Sequence, residues 1–340
     1  MEGQIIIKMK LFELINKASL ITKLSLLIIF TYALLSIFGF AIISDKSKFA
    51  NDMNLQIATL KPLSKLDFIL IDDKKIYIKE GSILINKKNG DLISFEKFGN
   101  NEKFIFSSSL GLENIQSQFF LMGTDKFGRD FFSRIIYGMK VSLTIGFLSV
   151  LISLAIGIFL GSISGFYGGN IDKAIMWLIN VTWSIPTLLL VIAISLAIGK
   201  GFNQVFIAIG LTMWVDVARI VRGQFMSLKE KEFVEAGEVL GYKSSRLIVK
   251  HILPNILSTI LVISTANFSA AILLESGLSF LGLGAQPPVP TWGSMLRDHY
   301  YFIFMDKSYL AIIPGLFIMT LVLSFINLGN GLRDLLDVKN

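Results

Sequence analysis

Residues 228–255 read LKEKEFVEAGEVLGYKSSRLIVKHILPN, a charged, basic-flanked island between long apolar runs. In that setting it is expected to be the largest stretch outside the bilayer on its side. Phe233, Ala236, Gly237 and Leu240 recur at helical spacing, which gathers them on one face of a short amphipathic helix. Glu232, Glu235 and Glu238 line a different face. Gly241 is expected to stop this helix, because glycine enters the left-handed conformation that a helix terminus needs. A second short helix is predicted from a Ser244 or Ser245 cap to Leu253, with Pro254 ending the regularity. The stretch therefore predicts helix, glycine turn and helix, held between two membrane spans.

Composition agrees with that setting. Of 340 residues, 53% are hydrophobic and 17% charged, against about 25% charged in soluble domains. The mean hydropathy is +0.65. The net charge of +7 raises the question of nucleic acid. The basic residues, however, flank apolar spans, and no basic patch interleaves with stacking aromatics, so no nucleic-acid partner is expected. The absence of cysteine excludes disulfides, thiolate metal sites and cysteine nucleophiles.

Hydropathy gives six spans. Residues 1–23 form a basic N-terminus, and Leu24–Ile43 follows as the first span. It reads as an uncleaved anchor, because it is long for a signal peptide and AIISDKS offers no small-residue cleavage site. The others are expected near Val141–Ile163, Ala174–Ile198, Gln204–Val221, Ile256–Leu281 and Leu310–Asn327. Ser149, Ser153, Gly157, Gly161 and Gly165 recur every fourth residue in the second span, a ridge that lets another helix approach closely. The third span carries Asn180, Trp183, Ser184 and Pro186; Pro186 removes a helix hydrogen bond and is expected to kink it, exposing backbone along a path. Asn267 and Glu275 lie inside the fifth. Asp216, Arg219 and Arg222 are expected to form an ion set at the end of the fourth.

Residues 45–120 interrupt the membrane pattern. Phe68–Ile71, Ile76–Ile78, Ile83–Ile85 and Leu92–Phe95 are short strand-like runs separated by polar stretches, and Asn89-Gly90 is a hairpin signal. A small β meander is expected here. The fold class is thus an all-α polytopic membrane protein with a small β insert in its first outer loop. Charge sets the orientation: seven Lys and Arg lie within Arg219–Lys250, whereas the 199–203 turn has only Lys200. Both termini and the 228–255 loop are then cytoplasmic, and the insert external.

Glu235-Ala236-Gly237, Gly241 and Ile252-Leu253-Pro254 resemble the EAA loop of bacterial ABC-importer permeases. The family usually has alanine where this chain has Gly237, a change worth about 1 kcal/mol of helix stability. LMGTDKFGRDFFSRIIYGMKVSLTIG, GFYGGNIDK, ESGLSFLGLGAQPPVPTWGSML and the tail INLGNGLRDLLDVKN are similar to segments of the second permease subunit of dipeptide and oligopeptide importers. The resemblance covers 121–338. It implies a type I importer permease fold and an EAA loop that docks on an ATPase. It also implies a homologous second permease in a heterodimer, two ATPase subunits that hold the ATP and magnesium, and an extracytoplasmic binding protein, in a bacterial inner membrane. Asp125, Arg129, Asp130 and Arg134 are expected as an ion network at the outer mouth. Glu275, Pro287 and Trp292 fall in or beside the segment that resembles an outer gate.

Other classes find less in the sequence. It has no G-x-x-x-x-G-K-[ST] phosphate loop and no H-E-x-x-H, so no ATP or metal is expected on this chain, nor any catalysis. His251, read as a loop-packing residue, and His299 are the only histidines. A secondary transporter would need a midplane coupling site built on a repeat, and no repeat is visible. Nickel importers share the same motifs, so nickel or another small solute is the alternative cargo to short peptides.

Overall fold

The computed structural model describes residues 17–71, 74–78, 84–86, 93–96, 103–106, 115–199 and 201–337. Its contacts divide into two compact units, one formed by Ile43–Arg134 and one carrying the membrane helices on either side of it.

The helical unit begins with α1 (Leu20–Phe38), capped by the Ser19 hydroxyl, which accepts from the Thr22 amide at 3.2 Å. Downstream come α2 (Phe131–Tyr167), α3 (Gly169–Trp183), α4 (Thr187–Ile198) and α5 (Phe202–Lys229). The loop opened above supplies α6 (Glu232–Val239), α7 (Ser244–Arg246), a π-helical segment Leu247–Ile252 and α8 (Leu253–Asn255). Then follow α9 (Leu257–Phe280), α10 (Trp292–His299) and α11 (Tyr309–Asp337). Among the described residues five helices are long and apolar enough to cross a membrane, and six spans result if α3 and α4 count as one. Several helices outrun their hydropathy windows. Hydropathy registers the lipid thickness, whereas intrahelical hydrogen bonds continue past it, so α2 reaches 37 residues.

The third span is more than kinked. α3 and α4 meet at 92°. Pro186 lacks the amide that would continue the ladder, and it pushes Ile185 away from helical geometry. Pro186 itself sits at φ −53°, ψ 126° and starts α4 as a new helix.

The small-residue ridge of α2 packs on α5. A β-carbon built on Gly157 lies 2.7 Å from Val217 Cγ1, and one on Gly161 lies 2.9 Å from Val221 Cβ. One on Gly165 lies 2.6 Å from both Phe225 Cβ and the Arg222 carbonyl oxygen. Higher up, the Ser149 hydroxyl donates to the Phe206 carbonyl at 3.1 Å. In lipid, where no hydrophobic force pulls helices together, such close approach is what holds them.

Among the described residues the other unit holds six strands in two three-stranded antiparallel sheets. β1 (Ser64–Ile71), β2 (Lys74–Ile78) and β6 (Ile115–Phe120) form one, in the order β2-β1-β6. β3 (Leu84–Asn86), β4 (Ile93–Glu96) and β5 (Lys103–Phe106) form the other, in sequence order. A single four-strand meander was expected. The first sheet instead pairs the two ends of the insert, Ser64 opposite Phe120 and Asp67 opposite Ser117, which local strand signals do not encode. Asn89 and Gly90 lie outside the described residues. Phe68, Phe120 and Ile57 are buried in this unit, with the Tyr77 ring 5.6 Å from Phe68 and 6.0 Å from Phe120.

Filling the ridge tests the helix packing. Gly161→Leu should lower the thermal midpoint of the detergent-solubilised protein, by overpacking worth about 1–3 kcal/mol. Gly223→Leu, on the same pair's open side with nothing within 4 Å of its added carbon, should leave that midpoint within error.

Candidate functional site

The 228–255 loop is built from its glycine turn. α6 ends at Leu240, and Gly241 adopts φ +74°. The Gly241 amide donates to the Glu238 carbonyl at 2.9 Å and the Tyr242 amide to the Gly237 carbonyl at 3.0 Å. This crossed pair is a Schellman closure, which satisfies two end carbonyls and needs a left-handed residue at its corner. Gly241 therefore stops the helix as expected.

The buried face of α6 is not the expected one. Val234 and Gly237 are the buried positions of α6, whereas Phe233, Ala236 and Leu240 are exposed. The turn rotates the helix so that Val234 joins Leu247, Ile252, Val221, Phe225 and Ile256 in one core, which the 3.6-residue period alone does not select. Gly237 thus faces inward: a β-carbon there lies 2.7 Å from Leu247 Cδ2 and 3.2 Å from the Tyr242 ring. The second helix also differs. Lys243 precedes it without a side-chain cap, Ser244 is already helical, and regularity runs past Pro254 to Asn255. Leu247–Ile252 takes π-helical geometry, with Ile252 buried and Leu253 packed against the same core. Across the turn, His251 stacks on Tyr242 with centroids 5.5 Å apart, and the Arg246 guanidinium lies 4.0 Å from the Tyr242 ring centre.

What remains outside is an apolar tip beside acids. Val239 is 84% exposed and Leu240 70% exposed, next to exposed Glu232, Glu235 and Glu238. Val239 and Leu240 both lie beside the Gly241 turn, on the side of α6 away from Val234.

The expected ion set on α5 is not formed. Arg222 reaches across to Asp172 on α3, Nε to Oδ1 at 2.5 Å and Nη2 to Oδ2 at 2.7 Å, and the Ser164 hydroxyl also donates to that carboxylate. Asp216 accepts from the Trp183 indole at 3.2 Å, while Arg219 lies 4.2 Å from the centre of the same ring. Residues 216, 219 and 222, spaced at three, share the side of α5 that meets α3, where Asp216 and Arg219 both take Trp183 and Arg222 takes Asp172.

The outer-mouth network is partly formed, within the Ile43–Arg134 unit. Asp125 accepts from Arg129 Nε at 2.6 Å, Arg134 Nε lies 3.7 Å away, and Arg129 also donates to Asn51 at 2.9 Å. Asp130 stands apart from the arginines. It accepts from the Ser133 amide at 3.1 Å and from the Ser133 hydroxyl, capping α2 at the position where a short acid reaches the helix amides most easily. Burial raises the Asp130 carboxyl above its ordinary range, against the lowering effect of those bonds.

Glu275 is fully buried on α9 and accepts from Ser142 on α2 at 3.0 Å and from Ser279 at 2.7 Å. Trp292 is buried too, donating to the Ile135 carbonyl at 3.1 Å, with its edge against Gly138. Pro287 is exposed in the 281–291 loop. Among the path candidates, Asn180, Ser184 and Pro186 are exposed along α3 and its break, whereas Asn267 is buried on α9, its Nδ2 without a hydrogen-bond partner among the described residues. None of the four lines the cavity beside the break, whose wall includes Trp183, Thr187 and Asp216. Asp216 is legible in the sequence as a charge within an apolar run; its place on a cavity wall is not.

The helical unit carries a helix–turn–helix between two apolar helices, α5 and α9. Residues 157–337 match the family described as binding-protein-dependent transport system inner membrane component, and the chain belongs to that family. The chain is 44% identical over 217 residues to the dipeptide transport system permease protein DppC of Alkalihalophilus pseudofirmus, covering 64% of this chain and 71% of that protein. It is 41% identical over 222 residues to the oligopeptide transport system permease protein OppC of Bacillus subtilis, covering 64% and 71%. A longer match, 34% identical over 286 residues, joins 83% of this chain to 81% of DppC of Lactococcus lactis. Among solved structures, an inward-facing MetNI methionine ABC transporter is similar at a TM-score of 0.49 and 16% identity, over 61% of this chain and 96% of that one.

Two outcomes follow. The folded chain holds the Asp130 proton to higher pH than the unfolded chain does, so its contribution to stability is complete below the ordinary carboxylate range and is lost as pH rises through the raised value. Amide exchange at residues 124–134 should therefore quicken from about pH 4 upward beyond its intrinsic rate, and Asp130→Asn should flatten that trend. In the loop, Gly237→Ala should be accommodated by a small shift of Leu247. Gly237→Phe should cost about 1–3 kcal/mol and expose residues 232–253 to protease while the spans stay intact.

Proposed function

We propose that this chain is a transmembrane subunit of an ATP-driven importer of short peptides. The observation that carries the reading is the rigid glycine turn between α5 and α9, which presents Val239 and Leu240 to solvent in a chain of the binding-protein-dependent family. The names of the dipeptide and oligopeptide relatives support the peptide cargo and give nickel no support. A homologous permease completes the pathway, and an extracytoplasmic binding protein delivers the peptide. Two partner ATPases bind the ATP and magnesium, so this chain performs no chemistry itself. The excess of Lys and Arg within residues 219–250 supports a cytoplasmic loop and termini and an external 45–120 insert in a bacterial inner membrane.

The mechanism follows from stiffness. Val239 and Leu240 insert into an ATPase groove, with Glu235 and Glu238 beside its basic rim. Val234, Leu247 and Ile252 bury the other side of the loop in the core shared with α5 and α9. A push on the turn is then passed to both spans, because a close-packed core transmits displacement. Pro186, Asn180, Ser184 and Asn267 are path residues in this reading, and Glu275, Pro287, Trp292, Asp125, Arg129 and Asp130 belong to the outer mouth.

Uptake of labelled trialanine by cells lacking this gene, with and without the restored chain, tests the reading; restoration should return uptake. Gly241→Arg places a side chain at φ +74°, at a strain of about 1–3 kcal/mol, and puts bulk at the contact. It should abolish ATPase copurification and transport while the spans remain inserted. Val239→Ser with Leu240→Ser should weaken copurification with the turn intact. Wild-type transport by Gly241→Arg with its ATPase bound would exclude the loop as the coupling element.

A further inference from the structure

Asp216 lies on α5 inside the apolar run 204–221, three residues before Arg219. An acid placed there demands a partner or a ligand. The only hydrogen bond to its carboxylate among the described residues comes from the Trp183 indole, at 3.2 Å. Arg219, one turn away, is held over the face of that ring at 4.2 Å, and forms no ion pair with Asp216 among the described residues. Trp183 therefore stands between the two charges, its edge toward the carboxylate and its face toward the guanidinium.

The carboxylate borders a cavity of about 330 Å³, whose wall includes Trp183, Thr187, Thr212, Asp216, Leu273 and Leu274. That volume is at the small end of ligand pockets, roughly 300–1,000 Å³, and combines apolar walls with few polar groups in the usual way. The Thr212 hydroxyl is occupied by the carbonyls of its own helix, at 2.8 Å from Ile209 and 3.3 Å from Ala208. The one full charge on the wall is negative. A metal ion would need several such ligands, whereas a primary ammonium on an otherwise apolar or amide-bearing molecule needs one carboxylate and room behind it.

We propose that this cavity receives the free amino terminus of the peptide in transit, with Asp216 as its counter-charge. The inference rests on the peptide reading above and adds a site in the membrane that discriminates by the cargo's α-ammonium. Trp183 orients the carboxylate through its N–H and shields it from Arg219, so that the acid is left for the ligand. The leucines of α9 face the first side chains of the peptide without selecting among them, as a carrier of mixed sequences requires.

The chain has no cysteine, so Thr187→Cys gives this subunit a single thiol in the cavity wall. Its maleimide labelling is measured in the assembled transporter, with trialanine and N-acetyl-trialanine as probes. Trialanine should slow labelling, and the acetylated peptide should need at least about tenfold higher concentration for the same protection, a difference of about 1.4 kcal/mol. Asp216→Asn should erase that difference, and Asp216→Glu should keep it. Equal protection by the two peptides, or discrimination that survives Asp216→Asn, overturns the site. Loss of the second permease from the Asp216→Asn complex, with no discrimination in Asp216→Glu, assigns the carboxylate to subunit pairing and also overturns it. Trialanine uptake with equal labelling sinks the site alone, whereas absence of trialanine uptake by the unmodified complex sinks the peptide cargo and the site together.

Discussion

Helix α2 lies against α5 only because its contact edge is almost bare of side chains. Gly157, Gly161 and Gly165 bring the two backbones close enough that a single added carbon collides with Val217, Val221 or Phe225. Several of the polar contacts of the helical unit depend on α5. Its middle carries Asp216, and Arg222 on it fixes α3 through Asp172. Its far end leads into the 228–255 loop, and Lys229 there donates to the Phe166 carbonyl of α2 at 2.8 Å. A helix fixed so closely on one side can present its other faces at defined positions.

Several polar groups inside the helical unit are satisfied by a neighbour a helix away, and each such bond ties two helices together. Glu275 reaches Ser142, Trp292 reaches Ile135, and Arg222 reaches Asp172. Unsatisfied polar groups in lipid cost several kcal/mol, so these pairings fix the relative placement of the helices as well as their stability. Asp216 breaks the pattern, since its partner is a neutral indole and its charge faces open space.

The break between α3 and α4 shows how one residue redirects a span. Pro186 both removes an amide and constrains Ile185, and a 92° turn results where hydropathy reads one continuous segment. The ring of Trp183, on the last position of α3, is thereby set against α5 beside the cavity. In the loop, the π-helical turn at Leu247–Ile252 has a similar effect, since it re-aims Ile252 into the core beside Val234.

The sequence by itself determined the membrane class, the small-residue ridge, the turn at Gly241 and the family, because each rests on local chemistry: apolar length, residue size and the conformational range of glycine. It also placed short strands in the insert, although four runs became six strands. Tertiary structure alone decided which face of α6 is buried, that Gly237 packs inward on Leu247, and that β1 pairs with β6 across the whole insert. It alone gave Asp216 and Arg219 to the edge and the face of Trp183, gave Arg222 to Asp172, and left Asp130 to a helix cap. Periodicity names the residues that share a face, but which face meets the core depends on neighbours distant in the chain. Charges three residues apart choose partners by what the adjacent helix brings within about 3 Å, and that is a property of the packed fold.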